Sequence, residues 1–234
     1  MDWHRRLLLC ILLPIAAVYT ACGQSTYALK KRYDPGFCAA NLLWSGANLY
    51  ASRHYNQKVN MGFGVAGPDK WAPQTLRKGV ARAADVTLIA TGAAAALWWG
   101  MGNANNRRTF GVITAENVWL TWNCTQTIKM LVNRPRPYAR SMTSPYPKKD
   151  DAWSFVSGHS SVAGATLASV WLLGPSSGHM SAQRQKILVG TTGILALGTA
   201  VLRVCAGKHY PSDVLAGFAL GMGVAWLNTK LHAK

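Results

Sequence analysis

The chain has 234 residues, of which 50% are hydrophobic and only 14% are charged. Soluble globular domains carry roughly 25% charged residues, so this composition points towards a membrane, although the mean hydropathy of +0.06 is low for a protein built mostly of spanning helices. The 25 lysines and arginines outnumber the 8 acidic residues and give a formal net charge of +17. Because they are scattered and form no recognisable nucleic-acid module, we expect anionic lipids or phosphorylated molecules as partners and no nucleic acid.

The first 23 residues have a basic start, an apolar run from Leu7 to Ala21 and then small residues. This layout is typical of a secretory signal peptide, and an uncleaved N-terminal anchor is the alternative. Either version delivers the body of the protein out of the cytoplasm. Residues 24–82 are mixed and polar, so we predict an extracytoplasmic segment of short helices and loops that covers the site.

Residues 83–234 carry the helical pattern and are predicted to form the core. Pro135 and Pro137 end one helix, because proline lacks the backbone donor and disfavours helical geometry in the residue before it. The expected fold is an all-α bundle of about five to six helices. The predicted core helices are Ala83–Met101, Thr109–Leu131, Ser160–Leu173, Gln183–Leu202 and Pro211–Leu231.

Three charge-free runs, at Val86–Met101, Ile187–Leu202 and Val214–Thr229, each have 16 residues. A membrane span normally needs about 17–25 residues, so these runs fall just short. The helix after Thr109 also carries Glu116 and several amides, which are costly in lipid. A water-soluble bundle therefore stays open beside the favoured interpretation, which is membrane association.

Two separated stretches supply cations suited to a phosphate group. Lys129 and Arg136 lie at and just after a predicted helix end, and Arg203 lies at the end of a later helix. The transition state of phosphoryl transfer spreads negative charge over several oxygens, so fixed cations and forked arginine donors favour it. Alternating helices place these stretches at one end of the bundle. The further cations Arg134, Arg140, Lys148 and Lys149 are read as solvated loop charges, with a role in binding a diphosphate or acidic headgroup as the alternative.

Ser157, Gly158 and His159 precede an apolar run and should lie at a helix N-terminus. Free backbone N–H groups and the helix dipole favour an anion there. Gly158 lets the backbone approach the phosphate and Ser157 has a hydroxyl to donate. His159 is placed to protonate a leaving oxygen.

His209 and Asp213 are four residues apart, with Pro211 suited to the first turn of a helix. We expect Asp213 to accept the proton on one ring nitrogen of His209, which frees the other nitrogen to attack phosphorus. A simple capping pair is the structural alternative.

These three motifs resemble those of the type 2 phosphatidic acid phosphatase superfamily, which also includes bacterial non-specific acid phosphatases and vanadium haloperoxidases. Their order and spacing match from Lys129 to Asp213, with Val156 where the family has proline and Leu202 where it has serine. The resemblance implies a mechanism without metal or cofactor, with His209 as nucleophile, Asp213 orienting it and His159 as general acid. The implied phosphate-binding residues are Lys129, Arg136, Ser157, Gly158 and Arg203.

The expected function is extracytoplasmic hydrolysis of lipid phosphate or diphosphate esters through a phosphohistidine, at the cell membrane or in the periplasm. A soluble, non-specific periplasmic acid phosphatase is the main alternative. A vanadium-dependent haloperoxidase is a weaker one, because those chains are usually larger. A phosphate- or lipid-binding protein without turnover is disfavoured by the complete set of charged motif residues.

Overall fold

The computed structural model describes residues 27–30, 33–54, 65–100, 104–140, 148–174 and 181–234. The predicted leader at residues 1–23 lies outside them. The described residues confirm the predicted all-α fold and form six α-helices. These are α1 (Tyr33–His54), α2 (Lys78–Gly100), α3 (Ala104–Val132), α4 (Gly158–Leu173), α5 (Ala182–Cys205) and α6 (Pro211–Leu231).

Local signals set most of the helix ends. After α3 ends at Val132, Asn133 adopts a positive φ of 50°, a conformation that asparagine tolerates better than most residues. Ser157 caps α4, and Pro211 occupies the first turn of α6. Helix α2 begins at Lys78 and α3 at Ala104, each five residues before its predicted start.

Helix α1 differs most from the prediction, because its 22 residues fall where only short helices were expected. It packs on α3 through polar side chains rather than an apolar stripe. Asn123 donates to the Asn41 side chain at 3.0 Å and accepts from Ser45 Oγ at 2.9 Å. Buried amides and hydroxyls of this kind join helices across an interface. Asn123, one of the polar residues that appeared costly on α3, therefore faces protein.

Helix α4 lies at the centre and packs against α2, α3, α5 and α6. Its Gly, Ala and Ser residues keep it thin, so its neighbours approach closely. A Cβ on Gly221 of α6 would lie 1.9 Å from the Ser161 carbonyl oxygen, and one on Gly217 would lie 2.6 Å from that of Ser157. Only glycine fits at these two positions.

Helices α2, α5 and α6 are long and apolar enough to cross a membrane, with 23, 24 and 21 residues. Each extends beyond its charge-free run, so counting that run alone underestimated its length. Large apolar side chains on them face outward: Ile89 is 71% exposed, Ile194 73% and Leu215 68%. These surfaces suit a lipid environment rather than water.

Candidate active site

A cavity of about 610 Å³ opens where the three sequence motifs meet. The end of α3, the start of α4, the end of α5 and the start of α6 all lie at this end of the bundle, as the alternation of helices predicts. Six of the eight predicted site residues line the cavity. They are Lys129, Arg136, Gly158, His159, Arg203 and His209.

Backbone hydrogen bonds hold the three motif loops to one another. Ser154 N–H donates to the Arg134 carbonyl at 2.8 Å, which joins the loop after α3 to the loop before α4. Ser157 N–H donates to the Asp213 carbonyl at 3.0 Å, and Tyr138 N–H donates to the Gly207 carbonyl at 3.3 Å. Each loop is therefore fixed by the other two, so the cavity is preorganised.

Three buried cations, Lys129, Arg136 and Arg203, give the cavity its charge, with 6%, 3% and 6% of their surfaces exposed. Lys129 Nζ donates to the Trp153 carbonyl at 2.9 Å. Burial and the nearby Arg136 lower the pKa of Lys129 to about 7. An anion bound among these groups would stabilise their charged forms.

Asp150 places a carboxylate beside this cluster. Its Oδ1 lies 2.6 Å from Arg136 Nη2, and the side chain is 54% exposed. The surrounding cations Arg136, Lys129 and Lys208 outweigh its partial desolvation and hold the pKa of Asp150 well below its usual range. Lys208 also lines the cavity, and burial together with Arg136 lowers its pKa to about 8. Sequence reasoning missed both residues, although Lys208 directly precedes His209.

His209 is held with one ring nitrogen protonated and the other facing the cations of the cavity. Its Nδ1 lies 2.8 Å from the Ser154 carbonyl oxygen, which can only accept, so Nδ1 carries the proton. Nε2 is then unprotonated and accepts a hydrogen bond from Arg136 Nη1 at 3.2 Å, which a bound phosphate would take over. Burial and the surrounding cations keep the pKa of His209 well below its usual value. The imidazole is therefore neutral and able to act as a nucleophile at neutral pH.

Asp213 does not occupy the predicted position. Its Oδ2 lies 3.7 Å from His209 Nδ1, beyond hydrogen-bond distance, because the Ser154 carbonyl takes that place. The carboxylate instead accepts from Ser154 Oγ, from Tyr210 N–H at 2.9 Å and from Arg134 at 2.6 Å. Asp213 thus fixes the loop that carries Ser154, whose carbonyl accepts from His209 Nδ1. The charge of the Asp213 carboxylate lies close to the His209 ring but makes no hydrogen bond to it.

Arg134 is neither a solvated loop charge nor a cavity residue. It is 3% exposed and donates to Asp69 at 2.7 Å as well as to Asp213, with its guanidinium 4.0 Å from the Tyr210 ring centroid. Asp69 also accepts from Ser212 N–H at 2.9 Å. This ion pair joins the short helix Gly67–Trp71 to the base of the site.

His159 is positioned by a carboxylate that sequence reasoning missed. Asp85 Oδ1, in the second turn of α2, lies 2.7 Å from His159 Nε2 and 3.3 Å from Arg203 Nη1. Burial, with Arg203 and Lys129 nearby, lowers the pKa of His159 to about 4. The only sequence signal for Asp85 was a single acid directly before an apolar run. The Asp85 carboxylate therefore orients the His159 ring within the cavity.

Ser157 caps α4 and does not line the cavity. It is fully buried, and its Oγ accepts from Ser160 N–H at 3.5 Å and from Ser160 Oγ at 3.1 Å. The predicted hydroxyl donation to phosphate is therefore replaced by capping. Val156 is buried and Leu202 half-buried, and neither lines the cavity, so these two departures from the family pattern leave its lining unchanged.

A second cavity of about 410 Å³ adjoins the first. The two share Asp85, Trp122, Gly158 and His159. The rest of its lining comes from α2, α3 and α4 and is mainly apolar, including Leu88, Val118 and Val162. A charged compartment and an apolar one thus meet at His159.

Comparison with known proteins gives three findings. The family model of the PAP2 superfamily matches residues 109–234. Lipid A 1-phosphatases of Rhizobium johnstonii and Rhizobium etli are 33% and 31% identical to this chain over 112 residues. The matched stretch covers 46% of this chain, 41% of the first relative and 44% of the second. The match therefore spans less than half the length of these relatives. A transmembrane PAP2-type phosphatidylglycerolphosphate phosphatase from Bacillus subtilis aligns over 99% of this chain and 96% of its own, with a TM-score of 0.45 and 18% identity.

Proposed function

Because the chain belongs to the PAP2 superfamily, whose model covers more than half of it, we propose that it is a phosphatase for lipid phosphate or diphosphate esters, acting through a phosphohistidine. The observation that carries this proposal is a neutral His209 whose unprotonated Nε2 lies in a cavity lined by buried cations.

The phosphoryl group binds among Lys129, Arg136 and Arg203. Their charges offset those of the phosphate, and the backbone at the N-terminus of α4, where Gly158 lines the cavity, adds N–H donors and the favourable end of the helix dipole. An entering phosphate competes with Asp150 for Arg136. Binding therefore replaces a protein carboxylate with the substrate anion.

In the first chemical step, His209 Nε2 forms a bond to phosphorus as the bond to the leaving oxygen breaks. His159 gives its proton to that oxygen, so the lipid leaves as an alcohol, or as a monophosphate if the substrate is a diphosphate. The ring gains positive charge, which the Asp213 carboxylate 3.7 Å from Nδ1 stabilises. Nδ1–H continues to donate to the Ser154 carbonyl.

In the second step, water attacks phosphorus and His159 takes its proton. The phosphorus–nitrogen bond breaks, inorganic phosphate leaves and His209 returns to its neutral form. No step in this proposed sequence calls on a metal ion or a cofactor.

A lipid substrate is supported by the apolar cavity beside His159 and by the three membrane-capable helices. The leaving group passes from the charged compartment towards apolar side chains, as an acyl or prenyl chain requires. The lipid A 1-phosphatase relatives support a phosphorylated lipid as well. We place the protein at the cell membrane. From the leader predicted at residues 1–23 we propose that its active site faces the extracytoplasmic side.

The decisive experiment measures phosphate release by the purified protein in detergent, with a chelator present. The substrates are phosphatidic acid, phosphatidylglycerol phosphate, a polyprenyl diphosphate, lipid A and p-nitrophenyl phosphate. We expect a lipid to be preferred, and an acid-labile phosphoenzyme to form. His209→Ala should lose at least about 10³-fold in kcat while staying folded, and His54→Ala, which changes an exposed histidine, should retain full activity.

Full activity in His209→Ala would refute the mechanism. Equal turnover of p-nitrophenyl phosphate by a protein soluble without detergent would instead identify a non-specific acid phosphatase. Halide oxidation that depends on added vanadate would identify a haloperoxidase.

A further inference from the structure

A second cluster of ionisable residues lies far from the phosphate cavity. It consists of Asp34 at the start of α1, Glu116 in the middle of α3 and His232 directly after α6. Their side chains are 1%, 2% and 0% exposed. His232 Nε2 lies 3.2 Å from Asp34 Oδ1 and 3.1 Å from Glu116 Oε2, and one donor atom from each residue falls within 4.8 Å of the others.

The hydrogen bond made by the other ring nitrogen of His232 determines the protonation of Nε2, the nitrogen that faces the two carboxylates. Nδ1 lies 2.9 Å from the Asn228 carbonyl oxygen. Since a carbonyl only accepts, Nδ1 carries a proton and Nε2 of the neutral ring points a lone pair at the two carboxylates. Three acceptors facing one another inside a protein are stable only with a proton or a metal ion among them.

A proton satisfies this arrangement only in part. With a proton on Nε2, His232 makes an aligned hydrogen bond to Asp34 Oδ1. Neither oxygen of Glu116 nor Oδ2 of Asp34 has an aligned hydrogen-bond partner among the described residues, although Glu116 Oε2 lies 3.1 Å from His232 Nε2. One imidazolium between two carboxylates also leaves a net buried negative charge, which is costly.

We infer that Asp34, Glu116 and His232 hold a divalent transition-metal ion. Zn²⁺ is the ion used for the geometry and for the test below. Donors about 2.0–2.2 Å from one ion lie roughly 3–3.6 Å from each other, which agrees with the separations of 3.1 and 3.2 Å at His232 Nε2. One imidazole nitrogen with carboxylate oxygens is a donor set for zinc and related ions. The remaining carboxylate oxygens supply further coordination. The Asn228 carbonyl accepts from His232 Nδ1 and so orients the ring, as acceptors behind metal-bound histidines do.

This ion has a structural role. The residues before α1 pair with the C-terminal end, because Ala28 N–H donates to the His232 carbonyl at 3.0 Å. The metal would join this pairing and the start of α1 to the middle of α3. Glu116 is 13 residues from Lys129 on the same helix, about 20 Å at 1.5 Å per residue. The inference is therefore independent of the proposed phosphatase mechanism.

The test measures metal content by mass spectrometry on the full-length protein, purified in detergent from cells grown with Zn²⁺ and dialysed against EDTA. A closed site retains its ion through this treatment. We expect about one equivalent in the wild type, and at least a tenfold loss in Glu116→Gln and Asp34→Asn. Asn123→Ala is the matched control, because it weakens the α1–α3 contact without removing a ligand, so it should melt earlier but keep the metal.

His209→Ala should also keep its metal, which separates this site from the phosphate cavity. A wild type with less than about 0.1 equivalent would overturn the inference and leave a protonated His232 between the carboxylates. Equal metal content in the wild type and Glu116→Gln would overturn it as well. The metal content of the wild type tests the inference by itself, so the test holds even if a ligand variant does not fold.

Discussion

At the scale of single residues, each imidazole of the cavity has one nitrogen committed to an oxygen acceptor. His209 Nδ1 faces the Ser154 carbonyl, and His159 Nε2 faces Asp85. The acceptors differ because the proposed roles differ. A neutral carbonyl holds the tautomer of a nucleophile without adding charge, whereas a carboxylate favours the protonated ring that an acid must supply.

The contribution of His159 to kcat is expected to increase with the basicity of the leaving group. His159→Ala should lower kcat by about 10²–10⁴-fold on an alkyl phosphate, and by much less on p-nitrophenyl phosphate, whose leaving group needs no proton. The substrate-free pKa of His159 is about 4, so the acid form depends on the bound phosphate, and kcat on the alkyl ester should fall as pH rises. Equal losses on both substrates, measured by steady-state kinetics, would argue against the acid role.

At the scale of secondary-structure elements, the contact between α4 and α6 determines how the motif loops meet. Gly217 and Gly221 are one turn apart on α6 and lie against the Ser157 and Ser161 carbonyls of α4. The close approach brings Ser157 N–H to the Asp213 carbonyl at 3.0 Å. The helix that presents Gly158 and His159 is thereby fixed against the helix that follows His209.

Substituting these glycines provides a test with a control on the same helix. Gly221→Ala should destabilise the protein by about 1–3 kcal/mol, because the new methyl group meets backbone that cannot move aside. Gly223→Ala meets nothing within 4 Å and should gain up to about 1 kcal/mol. Unfolding in detergent measures both, and equal stabilities of the two variants would contradict the packing described.

At the scale of the whole molecule, many polar groups lie inside the bundle beside its apolar core, and large apolar side chains also cover its outside. Asn117 donates to Ser169 Oγ at 2.9 Å and to Thr229 Oγ1 at 3.1 Å in the interior. The outward surfaces of α2, α5 and α6 carry large exposed hydrophobic residues. This distribution is suited to lipid, where polar groups must find partners within the protein.

We therefore predict that the expressed protein remains in the membrane pellet after an alkaline carbonate wash and is released only by detergent. The physical reason is that the three outward apolar surfaces would otherwise be exposed to water. Recovery in the carbonate supernatant would contradict membrane insertion and favour the soluble alternative.

The sequence by itself determined the helices of the core and the residues that carry charge and nucleophilicity. Helix ends follow local rules, since the prolines after α3, the Ser157 cap and Pro211 act on adjacent backbone. Motif spacing identified six residues that do line the cavity. It also indicated the family that the comparison confirms.

Only the tertiary structure decided which partner each of these residues has. In the folded chain, the Nδ1–H group of His209 donates its hydrogen bond to the Ser154 carbonyl rather than to Asp213. Asp85, which is 74 residues away in the sequence, lies beside His159. The tertiary structure also packed α1 against a polar surface of α3, a contact that the hydrophobic pattern of α1 does not predict. These contacts join residues distant in the chain, and their energies depend on distances that exist only after the helices have packed.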